Sequence, residues 1–124
     1  AYVPNDKTRG IVYFMEYNGL KYIGKKTIKT KKGKETNWKS YYGSSDSWLE
    51  HIKDNEDKVT RIVLYECANL VELGMLEDYE LYTRLVLWDD TFANKNIAMK
   101  ANTRNIKNFM NTQLLKDKVK ALRE

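Results

Sequence analysis

Residues 10–26 read Gly-Ile-Val-Tyr-Phe-Met-Glu-Tyr-Asn-Gly-Leu-Lys-Tyr-Ile-Gly-Lys-Lys, two strand-favouring runs separated by Asn18-Gly19. Asn-Gly between apolar stretches is the strongest local signal for a two-residue type I′ turn, because both central residues must reach positive φ. The turn dictates the register. Tyr17 pairs with Leu20, Met15 faces Tyr22 and Tyr13 faces Gly24, so Tyr13 and Tyr22 share one side of the ribbon as diagonal neighbours. The Cα atoms of such neighbours lie roughly 7–8 Å apart, within common reach of two long side chains. Tyrosine is also a good strand residue, and the chain has nine of them. The pair therefore reads either as cross-strand packing or as two phenols of a site that Lys25 and Lys26 complete.

Outward from this hairpin, 124 residues at 42% hydrophobic content predict one domain with a single core. The lone Cys67 excludes an internal disulfide and a thiolate metal cluster, and fits a reducing compartment. No apolar run approaches a membrane span, and the first residues lack a signal-peptide layout. The expectation is an intracellular protein with no membrane partner. Oligomeric state stays open between monomer and homodimer.

The net charge of +5 is unevenly distributed. Lys21, Lys25, Lys26, Lys29, Lys31, Lys32, Lys34 and Lys39 crowd around Glu35, whereas Asp46, Glu50, Asp54, Glu56 and Asp57 follow directly. A local basic field attracts phosphates whatever the overall pI, although a solvated lysine-rich loop has the same composition. Gly33 and the absence of an apolar period predict a flexible loop over residues 27–36.

Further elements follow in the order β-β-loop-α-β-α-loop-α. The strands span residues 10–17, 20–25 and 58–66, the last largely buried. Ser44, Ser45 and Ser47 supply caps for a helix from Asp46 to about Asn55, whose N-terminus beside the lysine loop favours a bound phosphate. Asn69 with Glu72 three residues on is a variant capping box that starts a helix running to about Leu87. At roughly 100° per residue, Leu70, Leu73, Gly74, Leu81 and Leu85 form one stripe with Glu77 in its middle. A carboxylate there needs a cation: Arg84, a lysine or a metal. Leu76, Tyr79, Met75 and Tyr82 on other faces imply cover on more than one side. His51 reads as a surface residue, and Cys67 as inert packing. Residues 102–124 form an amphipathic helix, with Ile106, Phe109, Met110, Leu114, Val119 and Leu122 against a basic face. Packing on the same domain, a DNA-backbone contact and a dimer seam all remain open for it.

In this order and spacing, the elements resemble the GIY-YIG nuclease family, and within it the phage-encoded, homing-endonuclease-like branch. Ile11-Val12-Tyr13 stands for the first motif, with Ile in place of Gly, and Tyr22-Ile23-Gly24 is the intact second, across a slightly short hairpin. Tyr42-Gly43-Ser44-Ser45 is similar to that branch's Tyr-x-Gly-Ser-Gly segment. Glu77 on its helix and Phe92-Ala93-Asn94 after it complete the series, so the resemblance covers roughly residues 10–97. It implies an α/β (α+β) domain over residues 1–100. Its core would be a small three-stranded mixed or antiparallel sheet built on the N-terminal hairpin and flanked by helices.

The resemblance further implies a metal-dependent DNA endonuclease. Glu77 would hold one Mg²⁺ (or Mn²⁺), and Tyr13 would deprotonate or orient the attacking water with Tyr22 beside it. Lys25 would supply the positive charge that a phenol titrating near pH 10 needs to act as a base. Lys26 stands where the branch carries the second member of a Lys-His pair. Lys31, Lys32, Lys39, Tyr42, Ser44, Ser45, Arg61 and Asn94 are the expected DNA contacts. If the gene is phage-encoded, the compartment is the bacterial cytoplasm. The sequence departs from the family in having no arginine between Arg9 and Arg61 to clamp the scissile phosphate. Lys26, Lys39 or Arg61 would replace it, without the planar bidentate geometry of arginine where the substitute is lysine. The alternative is a degenerate member that binds nucleic acid without cutting it. A plain basic interaction module is the third reading.

Overall fold

The computed structural model describes residues 2–97, together with Asp117 and Lys120, which are helical and exposed. The rest of the helix expected over residues 102–124, and what its faces touch, lie outside the described residues.

Strand β1 (Gly10–Tyr17) turns at Asn18-Gly19 into β2 (Leu20–Thr27). Asn18 and Gly19 have φ of 49° and 85°, as a type I′ turn demands. Every expected pair is present: Tyr17 with Leu20, Met15 with Tyr22, Tyr13 with Gly24. Strand β3 (Thr60–Cys67) pairs antiparallel with the other side of β1, so the sheet order is β2-β1-β3 and β2 is an edge. The sheet is purely antiparallel. A bulge shifts the β1–β3 register between Val12, opposite Tyr65, and Tyr13, opposite Val63, which leaves Leu64 as the extra residue. Bulges re-aim side chains, and this one sits beside Tyr13.

Alternation in β1 and β2 builds two cores on opposite faces of the sheet. One face carries Ile11, Tyr13, Met15 and Tyr22 against Ile28, Trp38, Trp48 and Ile52. Trp38 comes from a 3-10 turn (Trp38–Ser40), and Trp48 and Ile52 from helix α1 (Asp46–Ile52), which ends three residues earlier than expected. The other face carries Val12, Ile23, Tyr65 and Cys67 against Leu73, Leu76 and Leu81 of helix α2 (Leu70–Thr83). Cys67 is 1% exposed, and burial pushes its thiol up to about 12, as inert packing requires.

The lysine segment is a loop and not a helix, as expected, and it closes in a short reversal: Lys29 bridges Glu35, and the turn from Thr30 to Lys34 passes through Gly33. Two local readings are corrected. His51 is half-buried, its Nε2 lying 2.6 Å from the Tyr17 carbonyl oxygen, so it ties α1 to the end of β1. Helix α2 stops at Thr83 because Leu85 takes a left-handed conformation with φ of 53°. Leu85 is consequently exposed; Leu70 at the other end and Tyr82 are exposed as well, and of the expected stripe Leu73 and Leu81 are buried, joined by Leu76 from outside it.

Helix α2 also buries a group that sequence periodicity does not reveal. Glu80 is 3% exposed, with its carboxylate accepting from the Tyr65 hydroxyl and, at 2.6 Å, from Arg84 Nε. Arg84 therefore serves Glu80 and not Glu77. Removing one member of a buried network strands its partners. Glu80→Ala is expected to cost about 3 kcal/mol in urea unfolding, and Glu80→Gln, which still accepts from Tyr65, markedly less. Equal losses for both would show that the Tyr65 bond carries none of the effect.

Candidate active site at the edge of the sheet

The edge position of β2 lets both faces of the sheet contribute to one cavity. Tyr22 and Gly24 point to the α1 side, whereas Ile23 and Lys25 point to the α2 side. Around this edge lies a cavity of about 490 Å³ lined by Tyr22, Lys25, Ser44, Ser45, Glu77 and Asn94. Lys95, Asn96, Asp46 and Ser47 also line it, and the sequence reading singled out none of these four for a role in the site.

Each wall has a local cause. Tyr22 is stacked on Trp48, with centroids 5.7 Å apart and planes 10° apart, and is tilted against Tyr13 at 6.4 Å. The chain crosses over the Tyr22 ring at Gly43, where φ is 103° and an added Cβ would fall 2.6 Å from Tyr22 Cε1. That close crossing delivers Ser44 to the Tyr22 hydroxyl and lets Ser45 cap α1 through the Trp48 amide. Gly24 serves Tyr13 in the same way, since a Cβ there would sit 2.5 Å from the Tyr13 hydroxyl. Tyr13 is only 1% exposed and lies behind Tyr22, outside the cavity lining.

On the opposite wall, Lys25 Nζ is 4.0 Å from a Glu77 oxygen. Burial pushes the Glu77 carboxyl up to about 7, with Asp78 adding to the rise and Lys25 opposing it. Burial also raises both phenols. For Tyr13 the neighbouring Tyr22 and Tyr41 add to the rise, and Arg61 opposes it from 5.3 Å above the ring. Ser44 opposes it for Tyr22. The cation beside Tyr13 is thus Arg61 on β3, while Lys25 belongs to Glu77.

Asn94 has a clear structural task. Its Oδ1 accepts from the Ile23 amide at 3.0 Å, and its Nδ2 donates to the Ile23 carbonyl at 2.7 Å. Together with Lys21 N to Thr91 O and Ala93 N to Lys21 O, these bonds stitch residues 91–94 along the edge of β2. Ser44 and Ser45 stay at the cavity, whereas Lys26, expected beside Lys25 in the site, and the remaining expected DNA contacts disperse. Lys26 lies over the Tyr41 ring at 4.2 Å, and Tyr42 packs against the α1-side core with its carbonyl accepting from Trp48 Nε1. Lys39 and Arg61 line a second cavity of about 700 Å³ with Tyr2 and Trp38, where Arg61 donates to the Trp38 and Lys39 carbonyls. Lys31 and Lys32 stand exposed at the tip of the reversal.

The residues fit a hard divalent cation that keeps most of its waters. A largely desolvated carboxylate whose nearest counter-charge is 4.0 Å away lines the cavity, and no group of three or more acidic, histidine or cysteine ligands occurs among the described residues.

Antiparallel strands flanked by helices, with paired tyrosines and the helical Glu77 around an edge strand, define an α/β domain of the GIY-YIG type. A family model described as "Putative endonuclease segE, GIY-YIG domain" matches residues 3–97, and the chain belongs to this family. No curated protein and no solved structure gives a significant match. Among the described residues, no helix is long and apolar enough to cross a membrane.

Proposed function

We propose that the chain is a divalent-metal-dependent DNA endonuclease whose reaction takes place in the cavity at the edge of β2. The observation that carries this reading is the Glu77 carboxylate, largely withdrawn from solvent at 18% exposure, which lines with the Tyr22 phenol a cavity large enough for a phosphodiester. Membership of a family described as an endonuclease domain supports it.

When bound at Glu77, a hydrated Mg²⁺ or Mn²⁺ would polarise the phosphate and stabilise the leaving oxygen. The protein's own groups supply the rest. The two phenols remain protonated at neutral pH because burial holds both above their ordinary value. Tyr22 therefore positions a water molecule by hydrogen bonding from the cavity wall, and Tyr13, packed against the Tyr22 ring, supports that phenol from behind. Lys25 favours the ionised form of the Glu77 carboxylate against its burial and adds positive charge where the phosphate becomes more negative. The reading of a binder that does not cut has one observation in its favour, the enclosure of Tyr13.

Plasmid nicking by the wild-type chain with Mg²⁺, with EDTA, and by Tyr22→Phe tests the proposal. Metal-dependent nicking that falls about 10²-fold in Tyr22→Phe is expected. Tight plasmid binding with no nicking would select the binder instead. The pH dependence follows from Glu77, which must lose its proton to take a cation. Mg²⁺ affinity is expected to rise about tenfold per pH unit up to about 7 and then level off. Calorimetric titration with Mg²⁺ at pH 5.5, 6.5 and 8, as roughly spaced points around that value, reads this directly. A flat profile would mean that Glu77 is not the ligand.

A further inference from the structure

The cavity contains a cation that neither the family motifs nor the sequence reading assigned. We propose that Lys95 is the phosphate-contacting residue of this site, in place of the family's arginine. The inference rests on the nuclease reading for its chemistry and on the geometry of the edge strand for its choice of residue.

Two cations line the cavity, Lys25 and Lys95. Lys25 is turned toward Glu77, and its ammonium also lies 3.5 Å from where a Cβ on Gly74 would stand, so it runs along α2. Lys95 is exposed and makes neither of the two ion pairs found among the described residues. The other candidates are committed elsewhere. Lys26 covers Tyr41, while Arg61 donates to two backbone carbonyls of the second cavity.

The position of Lys95 is also fixed more firmly than its exposure implies. Asn94, the preceding residue, is held at both ends of its amide by Ile23, and Ala93 N bonds to Lys21 O at 2.8 Å. The backbone that carries Lys95 is therefore registered to the same strand that carries Tyr22 and Lys25. A phosphodiester entering between Tyr22 and Glu77 meets Lys25 on the α2 wall and Lys95 on the outer rim. A lysine there acts as a point charge on a non-bridging oxygen, a contact that tolerates a range of approach angles.

The test separates binding from cutting. Affinity for a short DNA duplex is measured in EDTA on the Glu77→Gln protein, over about 50 to 200 mM salt, where each lost phosphate contact lowers the log–log slope by roughly 0.9. Lys95→Ala is expected to weaken binding about tenfold at the low-salt end and to reduce the slope by about one contact. Lys95→Arg should restore both, and Lys53→Ala, an exposed lysine outside the cavity, should show neither effect. In the metal-loaded enzyme with native Glu77, Lys95→Ala should raise KM and lower kcat. An unchanged affinity and slope would overturn the proposal, as would an equal loss in Lys53→Ala or a loss that Lys95→Arg does not rescue. Because the binding arm needs no cleavage, a wild type that never nicks DNA would defeat the nuclease reading while leaving the Lys95 result readable.

Discussion

Glu77→Gln is expected to abolish metal-dependent cleavage, by at least about 10³-fold, while making the metal-free protein more stable at pH 8. The two effects share one cause. Burial lifts the carboxyl to about 7 from an ordinary 4.5, so at pH 8 the folded chain holds an ionised group that the unfolded chain would hydrate better. Between pH 4.5 and 7 the folded state retains the proton that the unfolded state has released, and stability falls as pH rises through that window. The full loss is on the order of 3 kcal/mol, since each pKa unit is worth about 1.4 kcal/mol. Glutamine removes the ionisation and leaves Lys25, which is 47% exposed, to solvent. Urea unfolding should therefore show a gain of about 1–3 kcal/mol at pH 8 and almost none at pH 4. A variant that is less stable than wild type at both pH values would show that Glu77 is held for structure and not for a cation.

Gly24→Ala is the substitution expected to damage fold and activity together. The added Cβ would stand 2.5 Å from the Tyr13 hydroxyl, 2.7 Å from its Cζ and 2.9 Å from Tyr22 Cε1. Neither ring has room to retreat, because Tyr13 is 1% and Tyr22 7% exposed, and Tyr22 is already stacked on Trp48. Overpacking of this kind costs about 1–3 kcal/mol, or a fall of roughly 5–20 °C in Tm for a domain of this size. Cleavage should drop at least about 10²-fold, because both phenols are displaced. Tyr13→Phe in the same chain removes the atom nearest the clash and should recover part of the stability and none of the activity. An alanine variant with wild-type melting and nicking would mean that the rings have freedom this packing denies them.

Much of the architecture was legible because it is encoded by local rules. Asn18-Gly19 sets the hairpin register, Ser45 and Asn69 accept from the amides of Trp48 and Glu72 as caps should, and alternation in β1 sorts Ile11 and Tyr13 from Val12. The helix with Glu77 was legible as a helix but not in its ionic pairing. Arg84 is close to both Glu77 and Glu80 on that helix. The choice was made by Tyr65, a residue on another element that buries Glu80 and so demands its partner. The short reversal over the lysines and the half-burial of His51 were hidden for a similar reason, since each depends on a backbone group distant in sequence.

The sequence by itself determined the hairpin, its register and the order of strands and helices. These follow from turn chemistry, caps and side-chain period, which act over a few residues. Only the tertiary structure decided that β2 lies at the edge of the sheet, with β3 on the far side of β1. That choice brings Tyr22 from one face and Lys25 with Glu77 from the other into a single cavity, leaves Tyr13 behind under Arg61, and carries Lys95 to the rim on a segment pinned by Asn94. An edge exists only when the whole sheet is assembled, so no local pattern announces which residues will meet around it.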